Sequence, residues 1–148
     1  MRIVFVCLGN ICRSPAAEGV FRALCTAAGR ADRVDSAGTS DWHLGSPPYG
    51  EMVAAAAARG VDLSALRARR FTAEDFDSFD LIIAMDKQNV RDIERLRPPG
   101  NATPVQLLLD HAPGAATREV PDPYYTRDFE TALDLIEAGA RGLLAATG

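Results

Sequence analysis

The sequence predicts an α/β fold: a four-stranded parallel sheet between two layers of helices, three layers in all. Three observations point there. Short β-branched or apolar runs alternate along the chain with segments of helical spacing. The runs are apolar enough to be buried on both faces, as parallel strands are. Gly and Pro close most of the segments. At 148 residues the chain is the size of one domain and can bury a sizeable core, so residues 1–148 are expected to form a single unit.

Each element has its own warrant. "RIVFV" (2–6) is a short buried strand. Pro15 is suited to opening a helix, because its missing N–H is not needed there. Ala16, Ala17, Val20, Phe21, Leu24 and Ala28 follow helical spacing, and Gly29 stops the run. "RVDSAGTS" (33–40) reads as a second strand entering a turn. The alanine-rich segment from Tyr49 to Arg59 is a helix closed by Gly60. "FDLIIAMD" (79–86) is a strand, "KQNVRDIERL" (87–96) a helix ending before Pro98-Pro99, and "TPVQLLL" (103–109) a fourth strand. After a polar loop, Phe129, Leu133, Ile136, Ala140, Leu143 and Leu144 form the stripe of a last helix.

Composition excludes several classes of function. A net charge of −4 argues against a nucleic-acid binder. No apolar run approaches a membrane span, and the start of the chain lacks a secretory signal pattern, so a cytoplasmic protein without membrane partners is expected. The cysteines are Cys7, Cys12 and Cys25; an odd count does not suggest a disulfide framework. His43 and His111 are too far from them in sequence for a zinc site.

The first strand–helix junction carries the chemistry. In "VCLGNICRSP" (6–15) a thiol follows the strand, then a Gly-Asn pair, an arginine and a hydroxyl. Unpaired N–H groups at a helix start, with a glycine-bearing loop ahead of them, make an anion cradle. Arg13 adds a planar fork suited to two phosphate oxygens. The same positive field lowers a thiol from about 8.5 into the range of roughly 3.5–7.5, so Cys7 is expected to be a thiolate. A thiolate beside a bound phosphate predicts in-line attack and a phosphocysteine intermediate, with Ser14 hydrogen-bonded to the sulfur. No Gly-x-x-x-x-Gly-Lys-Ser/Thr run is present to suggest a nucleotide phosphate loop. Cys25 lies on the apolar face of the first helix and reads as core.

Cys7-(five residues)-Arg13-Ser14 at the very N-terminus resembles the low-molecular-weight protein-tyrosine phosphatases. "DSAGTSDWHLGSPP" (35–48), "FDLIIAMDKQN" (79–89) and "PDPYY" (121–125) extend the likeness over essentially the whole chain. The resemblance implies a four-stranded parallel sheet, no metal and no cofactor. It implies Cys7 as nucleophile and Arg13 as the phosphate-binding arginine. The cradle would be the backbone of Leu8, Gly9, Asn10, Ile11, Cys12, Arg13 and Ser14. Asn10 would hold the loop in shape with support from Ser36, and Asp122 would be the general acid. An acid is worth roughly 10²–10⁴-fold, but sequence alone does not choose Asp122 over Asp41 or Asp110. Trp42, Tyr124 and Tyr125 would line a pocket for an aromatic ring, with His43 at its rim. The implied substrate is a phosphotyrosine protein or small aryl phosphate, handled by a monomer or a weakly self-associating chain. The family also favours a reversible Cys7–Cys12 disulfide under oxidation.

One departure and two rival enzymes qualify this. Many relatives carry a histidine where Leu66 stands, so the network holding Asn10 is expected to be rearranged or weaker. Arg67, Arg69 and Arg70 read most simply as a solvated face, with attraction of acidic phosphopeptides as a secondary hypothesis. An arsenate reductase of the same fold would need further cysteines near mid-chain, and none follows Cys25. A protein-arginine phosphatase would tend to carry threonine at Ile11; isoleucine suits an aryl phosphate better.

Overall fold

A computed structural model describes all 148 residues. Strand β1 (Arg2–Cys7) lies at the centre of the sheet, flanked by β2 (Arg33–Gly38) and β3 (Leu81–Ala84). The short β4 (Val105–Leu107) pairs with β3, giving the order β2-β1-β3-β4 with every pairing parallel. Ile3 to Cys7 are all buried, which is the reason this strand reads as a continuous apolar run. The pleat divides them. Ile3, Phe5 and Cys7 face a large cluster built with α1 (Arg13–Ala27), α2 (Gly50–Ala57) and α6 (Phe129–Thr147). Val4 and Val6 face a smaller one containing Phe76 of α3 (Asp75–Ser78) and Ile93 of α4 (Lys87–Glu94). The three layers expected from the sequence are therefore present.

Several boundaries differ from expectation, each for a local reason. The first helix begins at Arg13, with Pro15 two residues inside. A first-turn proline forfeits no helix hydrogen bond, so it does not mark the first residue. The fourth strand stops at Leu107, because Asp110 accepts the Leu107 N–H at 3.4 Å and the chain turns into a 3-10 segment, Leu108–His111. That segment packs under α6, where a Cβ on Gly142 would lie 1.7 Å from the His111 carbonyl oxygen. Only glycine permits this approach. Two four-residue helices were not anticipated: α3 and α5 (Pro123–Thr126). Neither is set by apolar periodicity: α5 starts on the Asp122 cap, and α3 is a single turn without a side-chain cap, beside the Thr72 N–H bond to Asp75.

Candidate active site

Between β1 and α1 the chain turns through Leu8–Cys12, and α1 begins with no side chain capping its first turn. Its leading N–H groups are thus left without a side-chain acceptor. Asn10 sits at φ 55°, in the left-handed region that asparagine tolerates better than most residues. Its side chain explains how that conformation is held. The amide donates to Ser14 Oγ at 2.8 Å and to Ser36 Oγ at 3.0 Å, while its oxygen accepts the Arg69 backbone N–H at 3.0 Å. Ser36 Oγ passes the chain on to Glu18 Oε1 at 2.7 Å, and the other oxygen of Glu18 pairs with Arg22 at 2.6 Å. The loop also leans on the end of β2. Thr39 and Ser40 N–H groups donate to the carbonyls of Cys7 and Leu8 at 2.9 and 3.0 Å. A side chain on Gly38 would meet the Leu8 oxygen at 2.9 Å.

The Asn10 network is therefore rearranged without being depleted. The Leu66 side chain offers no hydrogen bond and packs against the large core cluster. The Arg69 N–H satisfies the Asn10 oxygen, and Glu18 accepts from Ser36. Arg69 is accordingly not a solvated arginine. Its guanidinium spans Asp35 and Asp75, each at 3.0 Å. Arg70 lies 3.7 Å from Asp41, and Arg67 donates to the Ser64 and Leu66 carbonyls. With two of the three arginines facing carboxylates, the basic cluster offers little free positive charge for acidic peptides.

A cavity of about 260 Å³ opens over the loop. Cys7, Leu8, Gly9, Ile11, Cys12 and Arg13 form its floor; Asp122, Trp42, His43, Tyr124 and Tyr125 form its walls. Asn10, Ser14 and Ser36 do not line it; their side chains are buried behind the loop. Trp42 and Tyr125 are 66% and 67% exposed, so neither belongs to the core. Cys7 Sγ is 3.0 Å from Ser14 Oγ at the bottom. All three cysteines are free thiols.

Arg13 is 3% exposed and carries three acceptors. One amino group donates to Asp86 at 2.7 Å and to the Val120 carbonyl at 3.1 Å; the other donates to Asp122 at 3.3 Å. Burial disfavours its charge, but the Cys7 sulfur, Asp86 and Asp122 outweigh that and hold its pKa above the ordinary arginine value. Cys12 is the opposite case. Burial first, then the neighbouring Cys7 and Asp122, push its thiol up to about 12, against the pull of Arg13 and Arg127.

Asp122 owes its place to two bonds. It caps α5, accepting the Tyr124 N–H at 3.1 Å, and its other oxygen meets Arg13. Asp-Pro at a helix start is a recognisable cap signal, and it identifies this helix in retrospect. Asp86, which the sequence reading passed over, forms a reciprocal cap with Asn89 at the start of α4, and the D-x-x-N spacing is its signature. Glu18 has no such signal.

The chain matches the family described as "Low molecular weight phosphotyrosine protein phosphatase" over residues 2–148. It is 40% identical over 145 residues to the Bacillus subtilis low molecular weight protein-tyrosine-phosphatase YfkJ, covering 97% of this chain and 93% of that one. The crystal structure of YfkJ superposes with a TM-score of 0.94 at 39% identity, over 99% of this chain and 93% of its own. A Streptomyces coelicolor low molecular weight protein-tyrosine-phosphatase is 46% identical over 154 residues, 98% of this chain and 92% of that one. A Drosophila arginine phosphatase is also similar in structure, with a TM-score of 0.93 at 28% identity over 99% of this chain and 98% of its own. Sequence and architecture agree over nearly the whole length: the chain belongs to the low molecular weight protein-tyrosine-phosphatase family.

Proposed function

We propose that this chain is a protein-tyrosine phosphatase working as one catalytic unit through a phosphocysteine at Cys7. The observation that carries the reading is the convergence of Cys7, Arg13 and Asp122 on one cavity with aromatic walls. The ester's phosphate settles on the amides of the loop, and Arg13 turns an amino group from Asp122 to it. The Cys7 sulfur attacks phosphorus in line as the bond to the phenol oxygen breaks, and Asp122 gives that oxygen its proton. Asp122, now a carboxylate, takes a proton from water as the water oxygen attacks phosphorus and the S–P bond breaks. Ser14 donates to the departing sulfur.

An approaching dianion takes the place of Asp122 on one amino group of Arg13, which leaves the Asp122 carboxyl beside the bound ester to act as the acid. Trp42, Tyr124 and Tyr125 would take the aryl ring of the substrate. A reducing cytoplasmic setting suits a nucleophilic sulfur that must stay a free thiol. No helix is long and apolar enough to cross a membrane.

The decisive assay is turnover of para-nitrophenyl phosphate and a phosphotyrosine peptide. Cys7→Ser should abolish both, and rapid acid quench should leave phosphate on Cys7 of the wild type. If Cys7→Ser retains turnover, the nucleophile is elsewhere. A phosphoarginine peptide assayed in parallel tests the activity that the Drosophila protein is named for. The aromatic walls favour phosphotyrosine, and a higher kcat/KM on phosphoarginine would overturn that preference.

A further inference from the structure

Helix α5 brings Asp122, Tyr124 and Tyr125 to the cavity, yet a four-residue helix has little hold of its own. Its N-terminal end is fastened through Arg13 to Asp122 and Val120, and through the Val120 N–H to the Met85 carbonyl at 3.0 Å. Its C-terminal end closes on Arg127, at φ 63° and ψ 12°. That left-handed position is ordinarily given to Gly or Asn.

The arginine side chain makes use of the position. It folds back over two rings, 5.2 Å from the centre of Tyr49 and 5.4 Å from that of Phe129. It donates to Tyr49 Oη at 3.1 Å and to the Tyr124 carbonyl at 3.4 Å, and it pairs with Glu51. Tyr49 in turn lies flat against Phe129 at 6.0 Å and meets Tyr124 edge-on at 5.6 Å. Tyr124 meets Tyr125 edge-on at 5.3 Å. The Tyr49 N–H donates to the Ile11 carbonyl at 2.8 Å, so the tyrosine that Arg127 grips is also bonded to the phosphate loop.

We infer that Arg127 is a positioning residue: a latch between α5, the start of α2 and the start of α6 that sets the aromatic wall and the Asp122 carboxyl over the phosphate loop. The inference rests on the phosphatase reading above. Arg127 does not line the cavity; beyond its long-range charge on Cys12, its contacts reach the site through Tyr49 and α5. Exposed ion pairs are individually weak. The leverage here comes from one planar fork and two ring faces bridging three elements. The phosphate cradle has its own supports in Asn10, Ser36 and Gly38. Loss of the latch should therefore disturb recognition of the ring and proton delivery while sparing phosphate binding.

Arg127→Gly is the discriminating variant, because it keeps the left-handed backbone and removes only the side chain. Its KM for phosphotyrosine should rise about fivefold, while the inhibition constant of inorganic phosphate stays within about twofold. Arg127→Lys, which keeps the charge without the fork, should fall between Gly and wild type. Hydrogen exchange gives a readout independent of turnover, and should accelerate in residues 122–128 of Arg127→Gly while the Leu8–Ser14 loop is unchanged. Wild-type KM and exchange in the Gly variant would overturn the latch, as would a phosphate inhibition constant that climbs with KM. Should the Gly variant fail to fold, Arg127→Lys decides: wild-type KM and exchange would overturn the inference. A wild-type protein inert toward phosphotyrosine would instead sink the phosphatase reading, with exchange still judging the latch.

Discussion

Asn10 is where the fold and the chemistry are tied together, and its removal has a calculable cost. Asn10→Ala deletes three hydrogen bonds, two buried ones to Ser14 and Ser36 and a part-buried one from the Arg69 peptide. At about 1 kcal/mol net each these sum to about 3 kcal/mol. The left-handed backbone at φ 55° adds about 1 kcal/mol for alanine. The expected loss is about 4 kcal/mol, which for a domain of this length lowers Tm by about 10 °C. Asn10→Gly loses the same bonds but accepts the backbone, so it should be about 1 kcal/mol more stable than the alanine variant. Both should lower kcat about tenfold or more, since amides displaced by an ångström no longer converge on the phosphoryl group. Urea denaturation and saturating para-nitrophenyl phosphate are the assays. An alanine variant within about 1 kcal/mol of wild type and within about twofold in kcat would refute the claim that these contacts hold the loop.

Two further outcomes follow from charged and ionisable groups near the site. Burial raises the Glu18 carboxyl above its ordinary value of 4.5, against the lowering effect of Ser36 and Arg22. Folded protein then binds more protons than unfolded protein from pH 4.5 up to the raised value. That share of stability is present at the acid end and lost as pH rises through the window. Glu18→Gln should remove this slope, so its unfolding free energy relative to wild type should climb across the window; a constant difference would count against the linkage. Cys12, with its thiol near 12, should stay unmodified when iodoacetamide labels the protein at neutral pH, while Cys7 is alkylated. Peptide mass spectrometry showing equal labelling of the two would refute this.

The sequence made the sheet legible because its strands are buried on both sides, and burial writes itself as apolar runs. β1 and β3 and the stripe of α6 were visible for that reason. α3, α5 and the early end of β4 were not, because single side-chain bonds mark them: Asp75 on the Thr72 amide, Asp122 as the cap of α5, Asp110 on the Leu107 amide. The loop residues stood out because Cys7, Gly9, Asn10, Arg13 and Ser14 are contiguous. Of their supports only Ser36 was expected, from the family resemblance; Glu18 and the Arg69 peptide were not. Asp35 and Asp75 turn Arg69 from a surface charge into a strut, and neither lies in its local pattern. Leu66 suggested a weaker network, because one donor to Asn10 is the Arg69 backbone N–H, which side-chain identities do not register.

Arg13 shows how such distant partners shape the reaction. One of its amino groups is fixed by Asp86 and the Val120 carbonyl, which are themselves held by the α4 cap and the Met85 peptide. The other has only Asp122, at the longer distance of 3.3 Å. One end of the guanidinium is thus an anchor and the other is exchangeable, and a phosphate entering the cradle competes with Asp122 alone. The two carboxylates should therefore act in opposite directions on anion affinity. Asp86→Asn keeps an oxygen for the Asn89 cap but loses the charge that orients Arg13, and should weaken inhibition by inorganic phosphate about threefold or more. Asp122→Asn removes the competing charge, and should tighten phosphate about threefold while lowering kcat by at least about a hundredfold. Measuring both inhibition constants against one substrate at one pH tests the asymmetry; a shift of the same sign in the two variants would mean that Arg13 is held as a symmetric pair and has no free end to offer.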